Sequence, residues 1–346
     1  MTEDVLRIVG VPASPYSRKL RAVLRYRRIP HAWVLHGSPE AHGLPQARVA
    51  ILPQLIVRGA DGAPEAVVDS TPLIRRLETL YSGRAVIPPD PVIAFVDALL
   101  EDYADEWLTK AMFHYRWAFA PDIARAAAIL PRWSHTDGAE HQAVELGRAF
   151  SERQIGRRGV VGSHDGTAPI IEESYRRLLR LLDAQLATSR FVMGGRPGAS
   201  DFGLFGQLTQ LVGFDPTPAA IALEIAPRVV AWVDVMDDLS GLEPSDADWR
   251  SRADVPATLR ALLSEVGRVY VPFLRANAAA LARGASTVEC LIDGRTWMQK
   301  PFPYQGRCLG WLREAHAALA PDDRRAVDAL LDGTGCDQLF VEGASS

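Results

Sequence analysis

The chain has 346 residues, enough at ~100–200 per domain for two or three domains. Hydrophobic residues make up 48 % and charged residues 23 %, with 27 Gly and 24 Pro, which excludes a disordered or collagen-like chain. A formal charge of −4 gives no electrostatic case for nucleic acid or an acidic membrane surface. The start, Met1 to Arg7, has acids where a signal peptide wants bases, and no stretch approaches the ~18 apolar residues of a membrane span. Cys290, Cys308 and Cys336 have no CxxC spacing, as expected of reduced thiols in a cytoplasmic protein.

Residues 1–87 alternate between strand and helix patterns. Leu6–Val11 reads as a short apolar strand, followed by a helix from about Pro15 to Arg28. His31–His36 is a second strand, and Gln54–Val57 with Ala66–Val68 form a hairpin across Arg58–Glu65. Asp69-Ser70-Thr71-Pro72 opens a helix to about Tyr81, with a capping residue and an early proline. This order predicts a small sheet flanked by helices. Proline-rich Ser82–Pro91 is a linker.

Beyond it, Val92–Ala118, Ile170–Ala187, Phe202–Val212 and Pro227–Leu239 carry helical periodicity. Gly156–Pro169 has four glycines and no pattern, and is expected to be a mobile loop. Ser240–Ala257 is a second composition break before helix resumes near Thr258–Ala282. Asp293-Gly294 between two alternating runs predicts a tight hairpin, and Gln305–Ala318 and Asp322–Leu331 are helical. Trp297, Phe302, Tyr304 and Trp311 are too many aromatics in a short segment to be left in water, so this tail is expected to pack on the helical region.

Three short motifs could carry chemistry. Ser14-Pro15-Tyr16-Ser17 stands between a strand and a helix, where side chains and free amides point at whatever rests on the helix N-terminus. It has the frame of a Cys-Pro-Tyr-Cys motif with serine at both cysteine positions, which excludes disulfide exchange there. A serine hydroxyl can still donate to a ligand's thiolate; the plain alternative is an N-cap. Ile51-Leu52-Pro53-Gln54-Leu55 puts proline before a strand, where a cis bond would free the Leu52 backbone for a peptide-like ligand and a trans bond would be ordinary. Asp69-Ser70 could hold an amino-carboxylate group, or only cap a helix.

In this order the three motifs resemble the N-terminal domain of the glutathione S-transferase family. Phe191-Val-Met-Gly-Gly-Arg-Pro-Gly-Ala-Ser-Asp201 resembles the buried helix start of the family's C-terminal domain, with Gly198 where the family has a capping Ser or Thr. Ser200 is the nearest substitute for that cap. The resemblance covers roughly residues 5–240. It implies an α/β thioredoxin-like domain (1–84), an all-α helical-bundle domain (92–242), and a C-terminal α+β extension (250–346) packed on the bundle. Ser14 matches the residue that contacts the thiol, with Tyr16 and Ser17 as alternative hydroxyls. Leu52 and Pro53 match the pair that holds the cysteinyl part of glutathione, and Asp69 and Ser70 match the γ-glutamyl site.

On the first helix, Arg18, Arg21, Arg25 and Arg28 share one face, expected to be solvated rather than an anion or partner site. On the long helix, Tyr103, Trp107, His114 and Trp117 share a face with Lys110. A family member would bring part of this helix beside the glutathione sulfur, so these aromatics are candidates for an acceptor pocket, with bundle core as the alternative. His114 has no second ligand at helical spacing to suggest a metal. The expected function is a glutathione-dependent transferase that stabilises the thiolate with Ser14 and adds it to a small apolar electrophile. Glutathione serves as co-substrate, with no metal, nucleic acid or membrane as partner; a homodimer is compatible with the reading. A non-catalytic glutathione-fold interaction module and a glutathione-dependent isomerase are the alternatives.

Overall fold

The computed structural model describes residues 5–59, 61–133 and 136–341. Strand β1 (Leu6–Gly10) leads to helix α1 (Pro15–Tyr26), β2 (His31–Leu35), β3 (Gln54–Arg58), β4 (Pro64–Val68) and α2 (Ser70–Leu80). The four strands form one sheet in the order β2-β1-β3-β4. β1 pairs parallel with β2 across α1, which serves as the crossover, and the other two pairs are antiparallel. Ile8, Leu20, Val23, Leu24, Leu55, Ile74 and Leu77 close a core between the sheet and the two helices.

The bundle starts at α3 (Pro91–Tyr103), whose first amides are capped by Asp90: its Oδ1 accepts from Val92 N at 2.9 Å and Ile93 N at 3.2 Å. A π-helical turn (Ala104–Leu108) joins α3 to α4 (Thr109–Ala118). The single long helix expected from the sequence is therefore continuous but wider in the middle. α5 (Ala120–Ile129), α6 (Glu140–Ile155), α7 (Ala168–Leu186), α8 (Ala199–Leu211), α9 (Pro216–Ile225) and α10 (Pro227–Met236) follow. Three of these, α5, α6 and α9, had no legible pattern in the sequence.

Helix α8 is wholly buried and explains the glycine at 198. Asp201 accepts from the Gly198 amide at 3.0 Å and from Val192 N at 2.8 Å, tying the loop to the helix start. The acceptor that Gly198 lacks is supplied by Asp97 of α3, which takes the amides of Ala199 (3.1 Å) and Ser200 (2.9 Å). A Cβ at position 198 would lie 2.4 Å from Asp97 Oδ1, so glycine is what admits the substitute cap. Ser200 takes part through its amide.

The remaining chain forms α11 (Ala257–Glu265), a second π-helical turn (Val266–Tyr270), α12 (Val271–Ala282), a β5–β6 hairpin (Val288–Ile292, Arg295–Gln299), α13 (Pro303–Ala317) and α14 (Pro321–Leu331). Asp293 and Gly294 turn the hairpin at φ 51° and 71°, the left-handed conformations a tight two-residue turn requires. Trp297 is fully buried between Trp107 and Phe273 (ring centroids 5.1 and 6.1 Å). Phe302 and Trp311 remain about 40 % exposed (39 % and 44 %), so the expected packing of the tail aromatics holds for Trp297 and not for these two.

Two sequence expectations are corrected here. The Gly156–Pro169 segment is not loose: Gly162, at φ 78°, lies against Trp297, where a Cβ would sit 2.4 Å from the ring. Thr167 Oγ1 donates to Gly162 O at 2.5 Å, and His164 Nε2 lies 3.1 Å from Met298 O. The arginine face of α1 is also not simply solvated. Arg18 and Arg25 each reach Asp237 at 2.9 Å, Arg21 reaches it at 3.6 Å, and Arg28 pairs with Glu243. These acids follow the C-terminal end of α10, so the arginines join the first domain to the bundle. No helix among the described residues is long and apolar enough to cross a membrane.

Candidate functional site

A cavity of about 1220 Å³ opens between the sheet domain, the α3–α4 wall and the start of α13. Ser14, Tyr16, Leu52, Asp69 and Ser70 all line it. Two families of local structure bring them together: the helix starts of α1 and α2, and the turn before β3. The Leu52–Pro53 bond is cis; Pro53 itself is buried behind Leu52.

Ser14 is both cap and cavity residue. Its Oγ accepts from Ser17 N at 3.1 Å, which uses a lone pair and leaves the hydroxyl proton for another partner. The loop carrying it is held from the bundle. Gln210 Nε2 donates to Pro12 O at 3.0 Å, and Arg116 reaches Ala13 O at 3.4 Å while paired with buried Asp215 at 2.8 Å. Tyr16 donates its hydroxyl to the Asp105 carbonyl at 2.9 Å, and burial raises its pKa well above the usual phenol value, so it is an occupied, protonated group. Ser17 is fully buried on the opposite side, against Gly10 and outside the cavity lining. Of the three hydroxyls, Ser14 alone lines the cavity with its proton uncommitted.

Asp69 does not cap α2. It sits at φ 80° with no side-chain bond to the helix amides, and its Oδ2 instead accepts from the Tyr304 hydroxyl at 2.7 Å. Ser70, at the first position of α2, is buried beside it on the cavity wall.

The aromatic face of the long helix is a correction. Tyr103, Trp107, His114 and Trp117 are all at most 3 % exposed and none lines the cavity. Tyr103 packs edge-on to Tyr270 (6.1 Å), and Trp107 Nε1 donates to Ser174 Oγ at 2.8 Å. His114 lies 2.8 Å from Ser163 Oγ and 3.3 Å from Glu172, its pKa lowered by burial. Trp117 packs on Phe113 and Phe150. The helix turns a different strip to the cavity: Asp105, Glu106, Thr109, Lys110 and Phe113.

That strip is charged, and its Asp105, Glu106 and Lys110 are buried. Lys19 of α1 is fully buried and reaches Glu101 at 2.7 Å and Asp105 at 2.5 Å, with Thr71 Oγ1 at 3.0 Å. Burial works against this ammonium, but the two carboxylates keep it charged. Burial raises Asp105 to about 6 and Glu106 to about 8, so Glu106 is neutral at pH 7. Lys110 makes no ion pair among the described residues; its partners are uncharged oxygens. Its Nζ donates to Gln299 Oε1 at 2.9 Å and rests 4.2 Å from the Phe273 ring centroid, and burial lowers its pKa to about 7. Beyond Phe113 the walls carry Ile51, Leu130, Trp133, Leu146 and Phe150, with Arg153, Gln154 and Arg157 at the α6 end beside them.

The family comparisons agree with the two-part architecture. Residues 8–85 match the glutathione S-transferase N-terminal domain, and residues 152–235 match the glutathione S-transferase C-terminal domain. No curated protein matches the chain. Similar solved structures include a glutathione S-transferase from Rhodospirillum rubrum F11 (16 % identity, 75 % of this chain and 92 % of that one, TM-score 0.39). FzlA from C. crescentus is similar over 74 % of this chain and 95 % of its own at 15 % identity, with a TM-score of 0.40. A Methylobacterium radiotolerans glutathione S-transferase, solved in complex with glutathione sulfonate, is 18 % identical over 73 % of this chain and 97 % of its own, with a TM-score of 0.38. Residues 8–85 and 152–235 thus carry, in order, the N- and C-terminal domains of the glutathione S-transferase family, on a mixed sheet followed by a helical bundle.

Proposed function

We propose that the chain binds glutathione in the cavity and transfers its sulfur to an apolar electrophile. The Ser14 hydroxyl donates to the thiolate, the Leu52 backbone pairs with the cysteinyl unit, and Asp69 with Ser70 holds the γ-glutamyl end. The acceptor occupies the apolar walls around Phe113, Trp133 and Phe150. In the reaction the thiolate sulfur forms a bond to an electrophilic carbon, and that carbon's leaving group or π-electron pair carries away the displaced charge.

The observation that carries this reading is Ser14: a cavity hydroxyl that accepts from Ser17 N and whose proton is free. A free thiol has a pKa of ~8.5, so at pH 7 only a few per cent is thiolate. Lowering that by about two units requires roughly 2.7 kcal/mol. A charge-assisted hydrogen bond supplies ~1.5–3 kcal/mol and the N-terminus of α1 a further ~0.3–1, so no titrating base is needed. The nearby acids do not oppose it at neutral pH, because Glu106 keeps its proton and Asp105 is matched by Lys19.

Retention on immobilised glutathione, followed by turnover of glutathione with a model aryl halide, tests the proposal. Binding with turnover that falls in Ser14→Ala supports it; absence of binding overturns it.

A further inference from the structure

The roof of the cavity comes from residues that neither family match reaches. At the start of α13, Phe302, Tyr304, Gln305 and Arg307 all face the cavity. This turn is anchored: Gln305 Nε2 donates to Glu106 O at 3.2 Å, and Asn277 bonds the Phe302 backbone at 2.8 and 3.0 Å. Tyr304 then reaches Asp69 Oδ2 at 2.7 Å, while Asp69 Oδ1 has no hydrogen-bond partner among the described residues. Burial and the adjacent Asp69 raise the Tyr304 pKa, so its hydroxyl remains a donor. Arg307 lies 5.0 Å over the Tyr304 ring and 6.0 Å from that of Trp311, and makes no ion pair among the described residues.

We propose that Tyr304 and Arg307 of the C-terminal extension complete the subsite for an α-amino-carboxylate, here the γ-glutamyl end of glutathione. The inference rests on the glutathione reading above. A carboxylate accepting on one oxygen is fixed in rotation, so Tyr304 holds Asp69 with Oδ1 presented to the ligand ammonium. Arg307, preset by stacking between two rings, brings a cation to the ligand carboxylate alongside Ser70. Tyr304 is a positioning residue, and Arg307 a binding residue.

Calorimetric titration of the full chain with glutathione and with the dipeptide Cys-Gly, which lacks the γ-glutamyl unit, tests this. Wild type is expected to prefer glutathione. Tyr304→Phe keeps the ring and the Arg307 stack but removes the bond to Asp69, and is expected to weaken glutathione about tenfold, the worth of a hydrogen bond to a charged group. Arg307→Gln is expected to weaken glutathione similarly. Neither variant changes Cys-Gly affinity, a selectivity that general loss of structure would not produce. Unchanged glutathione affinity in both variants overturns the proposal, as does tighter binding in Tyr304→Phe, which would mark the tyrosine as a plug. Wild type that binds neither peptide, or both equally, overturns the glutathione reading itself.

Discussion

At Asp69 a helix cap and a ligand site make opposite demands on one carboxylate. A capping Asp spends its oxygens on the first amides of its helix; Asp69 spends none there and is held by Tyr304 from the other end of the chain. Asp69→Ala is therefore expected to cost little helix stability and to weaken glutathione binding by about tenfold, with little effect on the thiol pKa of whatever remains bound. Titration of the variant with glutathione, beside its thermal unfolding, checks both halves. Glu106 and Lys110, four residues apart on the cavity wall, give a second prediction at this scale. The native chain holds Glu106 protonated to about pH 8 while the unfolded chain releases that proton near 4.5, so stability falls as pH rises through this window. Lys110 acts in the opposite sense. Its native pKa of about 7 lies below the unfolded 10.5, the unfolded state binds more protons between them, and stability recovers as pH rises through that range. Urea midpoints against pH should show a shallower fall for Glu106→Gln and a lost alkaline recovery for Lys110→Met. Unchanged profiles would mean that both groups titrate normally.

The elements show where sequence periodicity succeeds and where it misleads. The strands, the α1 start and the Asp293-Gly294 turn announce themselves locally, because alternation, capping residues and left-handed turn residues are nearest-neighbour signals, whereas the Asp69 cap expected for α2 does not form. The long helix does not. Its Tyr103, Trp107, His114 and Trp117 stripe is the apolar signature of a core-facing side, and that is where the structure buries it. The strip facing the cavity is polar, mixed and reset by the π-helical turn, so it carries no hydrophobic period to read. α5 and α6 escaped for the related reason that large apolar side chains of both stay exposed, Ile129 in α5 and Val144 and Leu146 in α6. The α8 cap was illegible because its acceptor, Asp97, is about a hundred residues away in sequence (separations of 102 and 103). Asp97→Ala strands two buried amides and is expected to destabilise the fold by about 2–5 kcal/mol, while Asp97→Asn, which keeps an acceptor, costs less. Chemical denaturation of the two variants side by side checks this; equal losses would remove Asp97 from the capping role.

At the scale of the molecule, the extension is part of the packed structure. Trp297 fills the space between Trp107, Phe273 and Gly162, and Gln299 satisfies the buried Lys110 ammonium. Arg252 joins Asp90 at 2.5 Å to Asp323 at 2.7 Å, linking the start of the bundle to α14. Removing residues 250–346 would expose the Trp107 side of the bundle and take the Gln299 partner from Lys110, leaving it only Val161 O at 3.4 Å. The truncated chain is expected to melt well below the full one, and Trp297→Ala alone to cost about 3–5 kcal/mol. Equal melting temperatures for full and truncated chains would make the extension an independent module, and would favour an interaction role for it.

The proposed chemistry turns on one atom, the Ser14 Oγ, and on whether a bound thiol feels it. The most direct measurement is the thiolate absorbance of bound glutathione as a function of pH, in wild type and in Ser14→Ala. Wild type is expected to lower the thiol pKa by about two units from its free value, and the variant to lose most of that shift while retaining glutathione. Equal pKa values in the two proteins would remove Ser14 from the chemistry, and a wild-type value equal to that of free glutathione would contradict the transferase reading altogether.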